Sequence, residues 1–442
     1  MGERETVGHI SDPGKAARAE AGLPVVPSFD GFRAFAILGV VALHLVQVTG
    51  FVYTHHQRTA MVLWSMLGKA VEVLFIVSGF VVFLPAAARG GRPGPFIPYA
   101  IRRGARLLPA YWLVILVSLL LLALFPLSDA TRTGQALGFP GSGEILLNLS
   151  LTAGPASLFD SIPAGFGIDP PLWTLAPEVA FYLVLPLCAY AFFRRPVIGL
   201  VIAAAITFVW MLAFANLNEV AANLGFHPGF NTREQLTSAA ERQLPYWTFS
   251  FGLGMAGAVT WIRLKRSRIP KNLIDRRTRN MLAPVVVVAL VSFWFVSRMT
   301  PTDLEAILWS MLCSASIATL MITITFLPDR WQRPFANHPV RKLGDISYGV
   351  YLSHFVFMTL AVSAISFSPS GSFSDLLLMT LLVIPPTLLY GYLSARFLEQ
   401  PIRRWARKYG RQGPPGTPVR KSSALAVPAD SAGDGVRGQT GT

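Results

Sequence analysis

His44 is the residue in this sequence with the clearest capacity for chemistry, because it lies inside an uninterrupted apolar run from Ala34 to Val46. Such a run is typical of a membrane-spanning helix, in which an ionisable side chain is costly and is by default functional. Arg33 stands eleven residues earlier, or ~16 Å along a helix, so we expect Arg33 at one membrane surface and His44 near mid-membrane. An imidazole held there can accept a proton or act as a nucleophile.

Two carboxylates also interrupt apolar segments. Glu72 follows Lys69 by one helical turn, and this spacing predicts an ion pair between them. Glu178 lies five residues after Trp173, and tryptophan is typical of a membrane interface. Four roles stay open for Glu178: orienting His44, binding a hydroxyl, carrying a released proton, or making an interhelical bond.

Two further groups have a regular helical spacing. Arg103 and Arg106 share one face, and guanidinium groups suit phosphate, although arginines are common in any cytoplasmic loop. Tyr348, Tyr351 and His354 recur every third residue and fall on roughly one helix face. They can line a substrate path, although tyrosines near a membrane surface are commonplace.

The composition predicts an all-α, multi-pass membrane protein that holds these residues in a helical bundle. Hydrophobic residues make up 52% of the chain and charged residues only 14%, against roughly 25% charged in a soluble domain. About ten segments are apolar and long enough to span a bilayer. They lie near 32–52, 70–88, 107–127, 172–193, 197–217, 245–262, 281–297, 304–327, 347–368 and 375–398.

The net charge of +15 is explained by topology rather than by a nucleic-acid partner. Lys and Arg concentrate in alternate connections, which places both termini in the cytoplasm by the positive-inside rule. We expect a hydrophilic tail over 1–29, one membrane domain over 30–402, and a basic, largely disordered tail over 403–442. Membrane lipids are the expected partner of the basic segments.

The polar blocks, in this order, resemble the acyltransferase 3 family of integral membrane acyltransferases over roughly residues 30–402. Two departures from the family pattern are Thr174, where serine is usual, and Ala176-Pro177 before Glu178. The residues that carry the resemblance are Asp30, Arg33, His44, Arg103, Arg106, Pro109, Trp173, Glu178, Ser347, Tyr348, Tyr351, His354 and Leu398-Glu399-Gln400-Pro401.

This resemblance implies transfer of an acyl group, often acetyl, from cytoplasmic acyl-CoA to a hydroxyl of a sugar, lipid-linked glycan or small metabolite in a bacterial inner membrane. It implies catalysis by His44 and Glu178, with His44 as general base or transient nucleophile, and no metal. Binding of the acyl-CoA donor is expected from Arg33, Arg103 and Arg106. Other substrate contacts are expected from Glu72, Trp173, Tyr348, Tyr351 and His354.

Two other classes of protein compete with this interpretation. In a proton-coupled transporter, a central histidine and glutamate would form a proton relay, but transporters often contain inverted repeats, and the two halves here show no clear repeat. A pseudo-enzyme that only binds a glycan is the third possibility, and the presence of His44 argues against it. Cleavage of acyl-CoA would separate the enzyme from both.

Overall fold

A computed structural model of the protein describes residues 25–51, 57–130, 135–158, 167–216, 238–299 and 304–409. Within these ranges the chain is helical and contains no strand. The predicted tails fall mainly on 1–24 and 410–442, outside the described residues, so the limits of the membrane domain stay predictions.

The long helices follow the predicted apolar segments, because in lipid the backbone must satisfy its own hydrogen bonds. A 3-10 turn over Pro170–Thr174 leads into α6, and a π-helical segment over Ser394–Glu399 joins α13 to α14. The helices are α1 Ser28–Val48, α2 Gln57–Ala88, α3 Phe96–Leu124, α4 Ser142–Leu149, α5 Ala153–Ala156, α6 Leu175–Arg194, α7 Pro196–Ala215, α8 Leu244–Arg266, α9 Lys271–Val296, α10 Leu304–Ile324, α11 Asp329–Ala336, α12 His338–Ala364, α13 Phe373–Leu393 and α14 Gln400–Lys408.

Nine helical segments of the described chain are long and apolar enough to cross a membrane, which confirms the all-α multi-pass fold. The remaining predicted span, 245–262, forms α8. Its hydropathy is lower because Tyr246, Trp247 and several glycines replace aliphatic residues, and its central part, from Phe249 to Ile262, is largely buried by protein. The side of the membrane on which each terminus lies stays a prediction.

The bundle has two groups of helices that meet along α1 and α2. In one group, α8 packs against α2, α6, α7 and α10, and α9 packs on the outside against α10. In the other group, α12 packs against α1, α3 and α13. α1 contacts both α2 and α12, so a side chain on α1 can reach the interior of the whole bundle.

Close packing in the first group of helices depends on glycine residues of α2 and α8. A Cβ atom at Gly254 would collide with the backbone of α2 at Ile76, and one at Gly257 would collide with Ile322 of α10. Gly79 of α2 likewise meets the backbone of Phe251. Small residues let the helix backbones approach each other in this way.

We expect Gly254→Ala to destabilise the protein by about 1–3 kcal/mol, because the added methyl group forces α2 and α8 apart. Gly68→Ala is the matched control, since nothing lies within 4 Å of a Cβ at that helical position. It should be neutral or raise stability by about 0.5–1 kcal/mol through helix propensity. Thermal unfolding in detergent measures both, and equal melting temperatures would contradict the packing argument.

Candidate active site

His44 and His354 form the centre of the candidate site. Nδ1 of His44 lies 3.0 Å from Nε2 of His354, so α1 and α12 are joined by a direct imidazole–imidazole hydrogen bond. The ring of Phe355 stands edge-on to His44 at 5.3 Å between centroids. His354 is fully buried, whereas His44 keeps part of its surface accessible. The histidine able to meet a substrate is therefore His44.

The hydrogen-bond partners fix which nitrogen atoms carry protons. Nδ1 of His354 lies 2.6 Å from the backbone oxygen of Tyr351, and a carbonyl oxygen can only accept. A neutral His354 is therefore protonated at Nδ1 and accepts a hydrogen bond at Nε2. His44 must supply that proton from its own Nδ1, which leaves Nε2 of His44 with a free lone pair. This is the form that a base or a nucleophile needs.

Tyr351 continues the chain of hydrogen bonds away from the histidines. Its hydroxyl donates to the backbone oxygen of Pro171 at 2.5 Å and lies 2.5 Å from the hydroxyl of Thr174. Both partners lie in the 3-10 turn before α6. Tyr348, one turn earlier on α12, instead donates to the backbone oxygen of Leu107 on α3 at 2.8 Å. The three regularly spaced residues of α12 thus each contact a different neighbouring segment.

His44 lies one turn before the end of α1 at Val48. The helix begins at Ser28, ahead of the apolar run, and ends at Val48, ahead of the predicted limit at 52, and the mid-membrane position of His44 stays a prediction. The axial separation of Arg33 from His44 is unchanged, since both lie in the one continuous helix.

The structure brings Arg33, Arg103 and Arg106 together around α6. The guanidinium group of Arg103 lies 5.4 Å from the ring centroid of Tyr182 and 5.5 Å from that of Tyr99. Arg33 lies within electrostatic range of Arg106 and of Glu178, and 3.9 Å from the carboxylate of Asp30. Two distant sequence blocks therefore form one cationic cluster.

Glu178 lies against this cationic cluster. Its Oε1 accepts hydrogen bonds from the hydroxyl of Ser78 at 3.0 Å and from the hydroxyl of Tyr182 at 2.5 Å. Nδ1–H of His44 donates its hydrogen bond to Nε2 of His354, so orientation of His44 is provided by another residue. The interhelical bond that the sequence left open is present, and a catalytic role for Glu178 stays a prediction.

Glu72 belongs to a second polar network, between α2, α8 and α10. Lys69 donates to its carboxylate at 2.7 Å, which confirms the predicted ion pair. Ser250 donates to it at 3.3 Å, and Ser314 also donates to it. Lys69 donates in addition to Ser310 at 2.9 Å. These contacts join three helices, and substrate binding by Glu72 stays a prediction.

Trp173 lies in an aromatic group at one end of α8. Its ring is stacked on Trp247 at 6.2 Å between centroids, and Trp247 contacts Phe75 at 4.7 Å. The indole N–H of Trp247 donates to the backbone oxygen of Glu241 at 2.6 Å. Burial raises the pKa of the Glu241 carboxyl to about 7, although Tyr246 and Arg242 act in the opposite direction.

Sequence analysis did not identify four residues of this region: Ser78, Asp169, Tyr182, and Thr174 in its role as a hydrogen-bond partner. The available signal for Ser78 was its spacing from Glu72, and the signal for Tyr182 was its spacing from Glu178. Asp169 precedes two prolines in a long loop, where nothing in the local pattern predicts that its side chain is buried.

Comparison with known proteins identifies the family of the chain. Residues 26–396 match the acyltransferase domain family called acyltransferase 3. The chain belongs to this family. Its match includes every residue that the sequence analysis placed at the site, from Arg33 to His354. No solved structure matches the chain.

Two similar proteins illustrate the range of the family. The peptidoglycan O-acetyltransferase OatA of Listeria monocytogenes is 26% identical over 400 residues, which cover 86% of this chain and 56% of OatA. The acyltransferase MdmB of Streptomyces mycarofaciens is 32% identical over 163 residues, which cover 37% of this chain and 38% of MdmB. The chain spans about half the length of the peptidoglycan O-acetyltransferase that it matches. The protein is a multi-pass protein of the bacterial inner membrane, as predicted.

Stability should depend on pH through Glu241. Its pKa rises from an ordinary 4.5 to about 7 on folding, so the folded protein binds more protons between these values and loses stability as the pH rises through them. We expect Glu241→Gln to stabilise the protein at pH 8 by about 1–2 kcal/mol, after discounting for partial exposure, and to have no effect near pH 4.5. Thermal unfolding across this range measures the difference. The exposed Glu305, changed to Gln, is the control, and a parallel response of both variants would contradict the assignment.

Proposed function

We propose that this protein transfers a short acyl group, of the acetyl class, from cytoplasmic acyl-CoA to a hydroxyl of a sugar, a lipid-linked glycan or a small metabolite. The observation that carries the proposal is the 3.0 Å contact between Nδ1 of His44 and Nε2 of His354, because a His354 that accepts this hydrogen bond leaves His44 with a lone pair on Nε2. The names of the relatives, one an O-acetyltransferase and one an acyltransferase, support the reaction class.

The cationic cluster supports binding of the donor at one end of α1. Guanidinium groups bind phosphate oxygens bidentately, and three of them converge here from α1 and α3. With the phosphates of acyl-CoA on Arg33, Arg103 and Arg106, the pantetheine arm runs along α1 toward His44, ~16 Å away along the helix axis. The phosphates of the donor are thus bound at one end of α1, and the reaction takes place some distance away, at the buried thioester.

The reaction uses His44 as a base and then as an acid. The acceptor hydroxyl donates its hydrogen bond to Nε2, and its proton passes to that nitrogen as its oxygen attacks the thioester carbonyl carbon. The bond between this carbon and sulfur breaks, and the sulfur takes the proton from His44, so that CoA leaves as a thiol and the acceptor becomes an ester. A positioned base contributes about 10²–10⁴-fold to the rate. If Nε2 instead attacks the thioester carbon first, the bond from this carbon to sulfur breaks, CoA leaves as a thiolate, and an acyl-imidazole forms. The acceptor oxygen then attacks the acyl carbon, the bond from this carbon to Nε2 breaks, and the proton of the hydroxyl passes to the thiolate.

His354 acts as a positioning residue in this reaction. While His44 carries the extra proton, its Nδ1–H donates to Nε2 of His354, and such a charge-assisted bond is stronger than a neutral one. The backbone oxygen of Tyr351 holds His354 in the required tautomer. The pair therefore orients the base and stabilises its protonated form.

The proposal is tested by comparing a deletion strain complemented with the native gene and one complemented with His44→Ala at matched expression. We expect mass spectrometry of lipids, glycans and secreted metabolites to find a compound that is one acyl group lighter in the variant, because the base is lost. Unchanged acylation would contradict the proposal. An unmodified solute that instead moves between cell and medium would favour a transporter.

Two variants at His354 serve as internal controls in the same strains. His354→Asn keeps an oxygen that can accept from His44, whereas His354→Phe removes the acceptor. We expect the phenylalanine variant to lose at least about tenfold more activity than the asparagine variant, since one buried hydrogen bond separates them. Equal activities would show that the pair is only a packing contact.

The cationic cluster makes its own prediction. Arg103→Gln and Arg106→Gln should each raise KM for acetyl-CoA by about tenfold or more, with a smaller change in kcat, because each removes a charge-assisted contact to phosphate far from the thioester. Steady-state kinetics on protein in vesicles measure both constants. Arg276→Gln, an exposed arginine on the peripheral α9, is the control. A normal KM in both variants would show that Arg103 and Arg106 only set the orientation of the helices in the membrane and do not bind the donor.

A further inference from the structure

Asp169 has a buried side chain whose hydrogen bonds are not made by the protein. Its exposed fraction is 0%, and neither carboxyl oxygen has a hydrogen-bond partner in the described part of the chain. Buried polar groups in folded proteins are nearly always bonded, and an exception needs an explanation.

The neighbours of Asp169 in sequence contact α12 on both sides of His354 along the chain. The backbone oxygen of Ile168 accepts from the hydroxyl of Thr359 at 3.3 Å, and the backbone oxygen of Pro171 accepts from Tyr351 at 2.5 Å. Asp169 therefore lies along α12 between Tyr351 and Thr359, level with the turn that contains His354.

This position lies on the side of the histidine pair that faces away from the arginines. Along α12, Gly344 meets the backbone of Asp30 near the cationic cluster, and His354 meets His44 ten residues later. The segment that carries Asp169 reaches as far as Thr359, beyond His354 in the same direction. If the donor approaches from the arginines, the region around Asp169 remains open to the acceptor substrate.

The surroundings of Asp169 contain hydroxyl groups rather than cations. Tyr111, Tyr351 and Tyr390 lie within electrostatic range of its carboxyl. The hydroxyl groups of Tyr390 and Thr387 on α13 are also buried without a partner in the described chain. Burial raises the pKa of Asp169 well above its usual range and so favours the neutral form of the carboxyl. A neutral carboxyl offers one O–H donor and one carbonyl acceptor, which complements a hydroxyl group.

We propose that Asp169 binds the acceptor substrate, and that this acceptor is an uncharged, hydroxyl-rich molecule that offers Asp169 a hydroxyl next to the one acylated at His44. This inference rests on the proposed acyl transfer, and it identifies a residue that binds the acceptor in that reaction. Such an acceptor can pair with Asp169 without burying a net charge. Asp169 takes no part in the proton transfer, since the proton leaves with CoA.

The test uses the protein in vesicles, with acetyl-CoA as donor and, as acceptor, the unacylated compound extracted from the His44→Ala strain. We expect Asp169→Leu, of similar size but apolar, to raise KM for the acceptor by about tenfold or more while KM for acetyl-CoA stays within about twofold. Asp169→Asn keeps a donor and an acceptor and should stay within about threefold of the native acceptor KM.

Infrared difference spectroscopy gives a readout that does not depend on the leucine variant folding. The native protein should show the carbonyl band of a protonated carboxyl, absent in Asp169→Asn, that shifts on addition of the same acceptor. An unshifted band, or an equal loss of activity toward both substrates with a lower melting temperature, would make Asp169 a structural residue and overturn the inference. If the His44→Ala strain accumulates no unacylated compound, the proposed function itself is wrong, and this inference is overturned with it.

Discussion

The hydrogen bond between His44 and His354 is the interaction on which the site depends. An imidazole nitrogen without a partner is expensive in a protein interior of low polarity, so α1 and α12 must keep their register for the pair to form. Close backbone contacts enforce that register, because a Cβ atom at Gly344 would collide with Asp30, and one at Gly31 would collide with Phe335. The packing that sets the geometry of the two histidines thus lies about three turns away along α12, where the backbone at Gly344 meets that of Asp30.

A second constraint follows from holding arginines in a largely apolar bundle. Arg33 and Arg106 repel each other, and carboxylates must lie close by to compensate for their charge. Glu178 provides this compensation, and it is itself fixed by Ser78 and Tyr182. Asp30 also lies within electrostatic range of Arg33. Arg33 is thus held between a carboxylate of its own helix and one of α6.

The helices could be predicted from sequence, but the pairing of their polar residues could not. Lipid requires the backbone to satisfy its own hydrogen bonds, so the apolar runs predicted the long helices, nine of which within the described residues are apolar enough to cross a membrane. The tenth predicted span forms α8, which is largely buried by protein and is not among those nine, so a tenth crossing stays a prediction. The Lys69–Glu72 contact was predictable because both residues share one helix. His44 and His354 are 310 residues apart, and Ser78 and Glu178 are 100 apart. Helical spacing carries no information about such distant contacts, and the face shared by Tyr348, Tyr351 and His354 did not show that each would meet a different segment.

Polar groups inside this bundle differ in whether the protein satisfies them. The carboxylate of Glu72 accepts from Lys69, Ser250 and Ser314, so its bonding is complete without a ligand and joins α2, α8 and α10. A fully bonded buried network stiffens and specifies packing. The carboxyl of Asp169 is the opposite case, because neither of its oxygens has a hydrogen-bond partner in the described part of the chain. An unpaired buried polar group costs stability, so the role proposed above for Asp169 would account for its presence. Burial alone therefore does not distinguish these two carboxyl groups, whereas the completeness of their hydrogen bonds does.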